Sequence, residues 1–589
     1  MVLFKALIAA VPLFSGTVAQ STGQGEKVWA AVAFINHGER TPMVANLRTV
    51  LTPEGAQQMM RQGTAFRARY IKDGVNNSDY DGIQTAYLQN LKSDMIDNDD
   101  LDLISQTDEW VSGGAMAFLQ GLYPPSTNSF DSSIGGDEIA MNLVDGDNKT
   151  EYPLNGYQYP NIRSPSYFDP ESTTVQGNAR CSAWQTEITT NLTENDSLGD
   201  LYQSTLPFYQ NLFSTPPLEG TININDASIW NAYLLWEFID YQYRHNETVH
   251  EGLKDANKTL SFLNTNAVIM ERAQNSYLDS ADDNTPMDVL YSIAGRTMAY
   301  KVTSQFRSNI RWGSSYNKLT LMFGSMEPIL SFISLSGLLT KENILKEPWS
   351  TLPKPGAALV FELFGEDPDT PDRQPATDSL RVRMYYRASA DADESFRNQP
   401  IFNSGPDGIA YSKFMQTMNQ LGRSPKQWCD ICGPTPAPWC DLIDSDNTDW
   451  SDDFSVRPVI AGVIGAIVSF GVLAALFTGL CICGGYRLRR RAPAETPHEA
   501  SAVGSAAGGF KGPEKKDGDA DVVVTKQGVH HERVGSWELR SPNELPPPPP
   551  QTSGIVTKDM GSPRRRSLDD SDDDISVMGA TPVKARESV

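Results

Sequence analysis

Val28 to Pro42 reads VWAAVAFINHGERTP, an apolar run that changes abruptly into a short polar loop. The apolar part, Val28 to Ile35, is rich in valine and alanine and lacks helical periodicity, which predicts a buried strand of a parallel sheet. The loop that follows lies at the carboxyl end of this strand, where open α/β sheets bind their ligands. In this loop His37 is a candidate nucleophile or base, and Arg40 is a candidate clamp for an oxyanion.

The residues from Asn36 to Pro42 resemble the Arg-His-Gly-x-Arg-x-Pro signature of the histidine acid phosphatases. Every specified position matches except the first, where Asn36 replaces an arginine. The resemblance implies an α/β fold of the phosphoglycerate mutase-like type, a sandwich with a mostly parallel sheet flanked by helices and an inserted, mainly helical cap. It also implies hydrolysis of phosphomonoesters without metal or cofactor, in which His37 attacks phosphorus and Arg40 holds phosphate oxygens.

Two later motifs of this family match in part. Leu51, Thr52, Gly55, Arg67, Arg69 and Tyr70 match a Leu-Thr-x-x-Gly helix that ends in Arg-x-Arg-Tyr. Arg67 is therefore a candidate for phosphate binding, and an ordinary surface arginine on a helix is the alternative. The run from 115 to 125 resembles the family helix that follows another phosphate-binding arginine, and counting back from its prolines places Trp110 at that position. Tryptophan carries no positive charge and has a single N–H donor, so it cannot bind phosphate as a guanidinium does.

A third motif is altered at the end of a predicted strand, Leu319 to Phe323. In the family this strand ends in Gly-His-Asp, where the histidine binds phosphate and the aspartate protonates the leaving group. Ser325 and Met326 occupy those two places here. Glu327 is the nearest acid and a candidate replacement for the proton donor, whereas a glutamate that interacts with the dipole of the helix start is the alternative.

These substitutions lead to two hypotheses about the chemistry. Losing one transition-state donor typically costs about 10²- to 10³-fold in rate, and losing general acid help costs roughly another 10²- to 10⁴-fold. The favoured hypothesis is a domain with little or no phosphatase activity that acts in ligand binding or signalling. The alternative is an active acid phosphatase that uses His37, Arg40 and replacement groups such as Arg67 and Glu327. A phosphorylated small molecule is a candidate ligand.

Both ends of the chain predict a membrane protein. Residues 1–19 combine Lys5, an apolar stretch and small residues, as in a secretory signal peptide. Val459 to Cys483 is an uncharged run of about 25 residues, enough to cross a bilayer. Arginines between 487 and 491 follow it, so the carboxyl tail is expected to be cytoplasmic. The plasma membrane is the expected location, and an internal membrane of the secretory pathway with the same topology is the alternative.

Glycosylation and disulfide candidates all precede the predicted span. The Asn-x-Ser/Thr sequons are at Asn76, Asn148, Asn191, Asn195, Asn246 and Asn257. The cysteines before the span are Cys181, Cys429, Cys432 and Cys440, an even number that predicts two disulfides in one of three connectivities. Beyond them, Cys481 and Cys483 are candidates for palmitoylation, or simply small apolar residues at the end of a membrane helix.

Composition and low-complexity segments complete the predicted organisation. The 589-residue chain has a formal net charge of -24, which excludes nucleic acid as an expected partner. The tail contains a proline run at 546–550 and Ser567 within basic and acidic flanks, which are candidates for binding cytoplasmic partners.

His245 and His250 receive no catalytic role. The predicted segments are a signal peptide at 1–19, an α/β domain at 20–125 and 266–440, a helical cap at 126–265, an acidic stalk at 441–457, a membrane helix at 459–483 and a disordered tail at 486–589.

Overall fold

A computed structural model describes residues 26–44, 48–72, 80, 82–127, 136–145, 148–276, 286–340, 343–366, 373–433, 437–444, 521–525 and 528–532. The chain divides into two units, Met1–Val456 and Arg457–Val589. The predicted signal peptide, membrane span, proline run and Ser567 lie outside the described residues, as do Asn76 and most of the stalk. No helix within the described ranges is long and apolar enough to cross a bilayer.

The strands are short except at the centre of the sheet. They are β1 (Lys27–Asn36), β2 (Leu101–Ser105), β3 (Met141–Asn142), β4 (Asn148–Lys149), β5 (Ile162–Arg163), β6 (Leu319–Gly324), β7 (Ala358–Gly365), β8 (Arg381–Arg387), β9 (Arg397–Gln399), β10 (Ile409–Ala410), β11 (Asp521–Thr525) and β12 (Gly528–Glu532). The main sheet has the order β10-β8-β7-β1-β6-β2-β5, and β9 pairs with β8. In the second unit β11 pairs with β12, a local element that the sequence does not predict.

The main sheet is mixed, where a mostly parallel sheet was expected. β6 is parallel to both β1 and β2, and β2 is parallel to β5. On the other side of β1, however, β7 runs antiparallel to it and β8 runs antiparallel to β7. β7 is buried along its whole length, like the parallel strands. Because burial on both faces makes either kind of strand continuously apolar, the sequence pattern does not reveal its direction.

Helices cover both faces of this sheet. They are α1 (Pro53–Tyr70), α2 (Glu109–Leu122), α3 (Pro153–Gly156), α4 (Thr173–Gln176), α5 (Ser182–Thr186), α6 (Asp196–Phe213), α7 (Ala232–His245), α8 (Glu247–Gly252), α9 (Ala256–Asn275), α10 (Pro286–Tyr291), α11 (Ile293–Arg311), α12 (Glu327–Leu335), α13 (Tyr411–Leu421), α14 (Pro425–Cys432) and α15 (Trp439–Asp444). Ala33 and Ile35 of β1 pack in one hydrophobic cluster with Phe66 of α1, whereas Val32 and Phe34 pack in another with Phe306 of α11. Burial on both faces explains the uninterrupted apolar run of β1.

A helical region, called the cap below, lies between β5 and α10. α6, α7, α8 and α9 surround a hydrophobic cluster of their own. The predicted boundaries of this region differ from the structure at both ends. Its first part contains β5, which belongs to the main sheet, and the expected end at 265 falls inside α9.

Two disulfides are present, as the sequence predicts, and the structure selects one of the three connectivities. Cys181 pairs with Cys432, and Cys429 pairs with Cys440. The first joins the residue before α5 to the end of α14, at a sequence separation of 251 residues. The disulfides therefore fasten the carboxyl-terminal helices of the first unit to a segment from the middle of the chain.

Candidate active site

The carboxyl ends of β1, β6 and β2 meet at one edge of the main sheet. The backbone N–H of His37 donates to the carbonyl of Gly324 at 2.9 Å, and that of Gln106 donates to the carbonyl of Phe323 at 3.0 Å. The residues that follow the three strands, His37, Ser325 and Gln106, therefore lie next to one another. The structure thus places the predicted site where ligands bind in α/β sheets.

The start of α1 holds the His37 loop in place. Thr52 caps this helix, since its Oγ1 accepts from the N–H of Gly55 at 3.0 Å and donates to Oε1 of Glu39 at 2.8 Å. A Cβ added to Gly38 would collide with the backbone of Gly55, and one added to Gly55 would collide with that of Glu39. Glycine at both positions lets the loop and the helix approach closely.

His37 has the tautomer and the neutral charge that a nucleophilic imidazole requires. It is 7% exposed, and its Nδ1 lies 2.7 Å from the carbonyl oxygen of Gly38. Because a carbonyl only accepts, Nδ1 carries the proton and Nε2 keeps its lone pair. Burial, followed by the positive charge of Arg40, lowers the pKa of His37 to about 4, although the bond to Gly38 opposes this shift. The imidazole is therefore neutral at mildly acidic and neutral pH.

Arg40 is already engaged by a carboxylate from the cap. Its Nη2 lies 3.0 Å from Oε1 of Glu237 on α7, and both side chains are largely buried. The guanidinium carbon lies 5.6 Å from the ring centroid of Trp110. Neither Nε of Arg40 nor Nε1 of Trp110 has a hydrogen-bond partner among the described residues. The candidate clamp is thus held by Glu237 and covered by an indole.

Carboxyl groups surround this guanidinium. Burial raises the pKa of Glu237, of Glu327 and of Asp108, and the charge of Arg40 opposes the shift in each case. On α9, burial and then the charge of Glu327 raise the pKa of Glu271 to about 8. Glu327 therefore interacts electrostatically with Arg40, and it remains a candidate proton donor. Three carboxyl groups that interact with one guanidinium nevertheless make a poor site for a phosphate dianion.

The other altered positions contribute no positive charge. Asn36 donates from Nδ2 to the backbone carbonyls of residues 353 and 354, at 3.2 and 3.0 Å. Ser325 donates from Oγ to Oε1 of Gln106 at 3.3 Å. Met326 is buried in a hydrophobic cluster between α9 and α12. These side chains serve packing and backbone contacts at positions where the family resemblance implies groups that hold phosphate or donate a proton.

Arg67 lies at the far end of α1 from the site. It donates from Nη1 to the carbonyls of Ser93 and Leu122, at 3.1 and 2.9 Å. With a rise of 1.5 Å per residue, Arg67 is roughly 18 Å along the helix from Gly55, which touches the His37 loop. The structure does not bring Arg67 to Arg40 and His37, so the idea that it replaces a lost clamp is corrected.

The contribution of α7 is the part of the site that sequence reasoning missed. Glu237 binds Arg40, while two turns further along Arg244 hydrogen-bonds Glu39, and His245 Nε2 lies 3.1 Å from Oε1 of Glu39. Glu237 and Arg244 are seven residues apart, a spacing that places them on one face of a helix. An acid and a base at this spacing on one face of a largely apolar and aromatic helix are the signal that could have revealed it. His245 thus contacts the loop through Glu39.

Within the described part of the chain, no group of three or more His, Cys, Asp or Glu residues has the geometry of a metal site.

Comparisons with known proteins identify relatives of this fold. The family model described as histidine phosphatase superfamily (branch 2) matches residues 33–387. Hafnia alvei phytase in its apo form is 14% identical, with a TM-score of 0.39, and the match covers 70% of this chain and 99% of the phytase. The Citrobacter braakii phytase is 13% identical, with a TM-score of 0.39, over 69% of this chain and 100% of that one. Bifidobacterium longum multiple inositol polyphosphate phosphatase in complex with phosphate is 13% identical, with a TM-score of 0.36, over 71% and 97%. No curated protein sequence matches this chain.

Proposed function

Since the chain belongs to branch 2 of the histidine phosphatase superfamily, we propose that its first unit is a histidine acid phosphatase-like domain with impaired catalysis. In this proposal the domain is the extracellular part of a single-pass membrane glycoprotein and acts in ligand binding or signalling. One observation carries the impairment: the guanidinium of Arg40 lies 3.0 Å from Glu237 and is therefore already paired.

The groups that a substrate would contact at this site determine how well phosphoryl transfer can proceed. His37 could attack phosphorus through Nε2, but the transferring group carries negative charge that must be stabilised by donors aimed at its oxygens. Arg40 would first have to leave Glu237, and Trp110 and Asn36 offer no second cation. Each missing donor costs about 10²- to 10³-fold, so the retained nucleophile is not enough for an ordinary turnover rate.

Several observations support the predicted secretory route. Asn191, Asn195, Asn246 and Asn257 are exposed, as attachment of a glycan requires. The two disulfides fit an oxidising compartment. The signal peptide, the membrane span at 459–483, the plasma membrane location and cytoplasmic partners of the tail rest on sequence features alone and remain predictions.

An active acid phosphatase is the second candidate, and the position of Glu327 favours it. Burial raises the pKa of this carboxyl, which interacts electrostatically with Arg40, so in acid it is protonated and able to protonate a leaving oxygen. His37 remains neutral above about pH 4 and keeps its nucleophilic Nε2. The retained pair of nucleophile and acid would then operate with Arg40 as its only clamp.

Hydrolysis of an aryl phosphate by the full-length chain, measured across acidic pH, separates the two candidates. The matched variants are His37→Ala, which removes the nucleophile, and His250→Ala, which removes an exposed histidine of the cap. Impaired catalysis predicts no difference between the wild-type chain and His37→Ala in folded protein. Turnover that disappears in His37→Ala but persists in His250→Ala would instead establish the active phosphatase, and Glu327→Gln should then abolish most of it.

A further inference from the structure

The contact between Arg40 and Glu237 crosses from the sheet domain to the cap. Arg40 comes from the loop after β1, and Glu237 comes from the middle of α7. One carboxylate oxygen of Glu237 receives the Arg40 bond and a second bond from the hydroxyl of Tyr233 at 3.3 Å, whereas Oε2 is buried without a hydrogen-bond partner among the described residues. A carboxylate in this position presents to Arg40 the same kind of oxygen atoms that a phosphate or sulfate would.

We propose that Glu237 is an internal oxyanion that occupies the anion-binding place of Arg40 and decides which ligands the site accepts. A doubly charged oxyanion is excluded while Glu237 is ionised, since it would have to displace a buried carboxylate. Protonation of Glu237 releases Arg40 and admits the oxyanion. The inference rests on the proposed function only in that it takes Arg40 as the group that holds an oxyanion.

The second contact of α7 keeps Glu237 in position. Arg244, on the same face of the helix, hydrogen-bonds Glu39 of the loop, and Glu39 is held from the other side by Thr52. The loop thus contributes the cation, Arg40, to one ion pair with α7 and the anion, Glu39, to the other. Because the two ion pairs have opposite polarity, they set the register of the helix against the loop, which keeps the carboxylate of Glu237 on Arg40.

Several charged and titratable groups besides Glu237 belong to this site. The charged and titratable groups that interact with Glu237 are Arg40, Tyr233 and Asp240, together with Glu271 of α9. Asp108 and Glu327 interact with Arg40. Burial raises the pKa of Glu237, so its neutral form is reached in milder acid than for an exposed glutamate.

Binding of sulfate by the full-length chain tests whether Glu237 controls access to Arg40, because sulfate keeps its double charge across the whole range of pH used. Titration calorimetry at pH 5 and at pH 8 is suitable, since His37, whose pKa is about 4, stays mostly neutral at both. For the wild-type chain we expect affinity at pH 5 to exceed affinity at pH 8 by about tenfold. Affinity that is independent of pH would overturn the proposal without any variant.

Variants then distinguish Glu237 from the general acidity of the pocket. Glu237→Gln should bind sulfate at pH 8 at least about tenfold more tightly than the wild-type chain and should lose most of the pH dependence. Glu271→Gln is the matched control, because it removes a carboxyl group that does not touch Arg40. The gain must vanish in Arg40→Gln/Glu237→Gln. An equal gain in Glu271→Gln, or no gain in Glu237→Gln, overturns the proposal. Phosphatase turnover is not the readout, so this result is independent of whether the domain is an enzyme.

Discussion

The guanidinium of Arg40 lies over the indole of Trp110, at 5.6 Å from the ring centroid. Trp110 occupies the position where the family resemblance implies a second arginine. A tryptophan there stacks on the remaining arginine and adds no charge. The substitution therefore changes a shared cationic clamp into a single cation with an aromatic cover.

Trp110→Arg should restore part of the clamp. The new guanidinium would stand beside Arg40 and the three carboxyl groups that interact with it, which offset the repulsion between the two cations, so sulfate should bind about tenfold more tightly. Trp110→Phe is the control, since it keeps an aromatic cover without adding charge and should leave the affinity within about twofold. Calorimetry with the full-length chain measures both. Equal effects of the two variants would show that packing, and not charge, limits oxyanion binding.

His37 should make the folded protein less stable in acid. Its pKa in the folded state, about 4, is below the usual 6.5, so the unfolded chain binds more protons in that interval. Its contribution to stability is complete above pH 6.5 and falls by roughly 3 kcal/mol as the pH decreases to 4. In His37→Gln this loss should be absent, so urea unfolding at pH 7 and pH 4 should show a smaller difference than in the wild-type chain. His250→Gln should retain the wild-type difference.

Glu271→Gln should stabilise the protein at pH 8 and have little effect at pH 4. Burial and the charge of Glu327 raise the pKa of Glu271 from 4.5 to about 8, so the folded state resists ionisation that the unfolded chain accepts. That cost is absent below pH 4.5 and grows up to pH 8, where removing the carboxyl group should gain about 2 to 4 kcal/mol. Glutamine keeps an oxygen that can accept the bond from Asn275. Chemical denaturation measures the gain, with the exposed Glu219→Gln as control. Stabilisation of equal size at both values of pH would contradict this origin.

Arg244→Met should loosen the His37 loop from the cap. Arg244 hydrogen-bonds Glu39, whose carboxylate is 5% exposed, but Arg244 itself is 43% exposed, so screening limits the loss to about 1 kcal/mol. Hydrogen exchange at residues 37–41 should accelerate about fivefold, because 1.4 kcal/mol corresponds to tenfold. Arg61→Met removes a pair with Glu54 on the surface of α1 and should not change exchange in the loop. Unchanged exchange in Arg244→Met would mean that Thr52 and His245 hold Glu39 without Arg244.

The parts of this protein that the sequence determined are those set by local pattern. β1 and the His37 loop follow from a run that is apolar on both faces and ends in polar residues. The start of α1 is set by Thr52 and Pro53, because a threonine that caps a helix and a proline in the first turn both favour a helix start, and the structure shows this N-cap. The presence of two disulfides follows from an even number of cysteines, although their pairing does not, because three connectivities satisfy the same count.

The tertiary structure alone decided which charges meet. Arg40 and Glu237 are far apart in the chain, and their contact depends on how α7 packs against the loop after β1. Arg67 and Glu327 were both candidate replacement groups in the sequence, yet one is bonded to backbone carbonyls at the end of α1 and the other interacts electrostatically with Arg40. The energy of a charge depends on burial and on partners within a few ångströms. A linear pattern specifies which residues a helix presents, but it does not specify which element that face will contact.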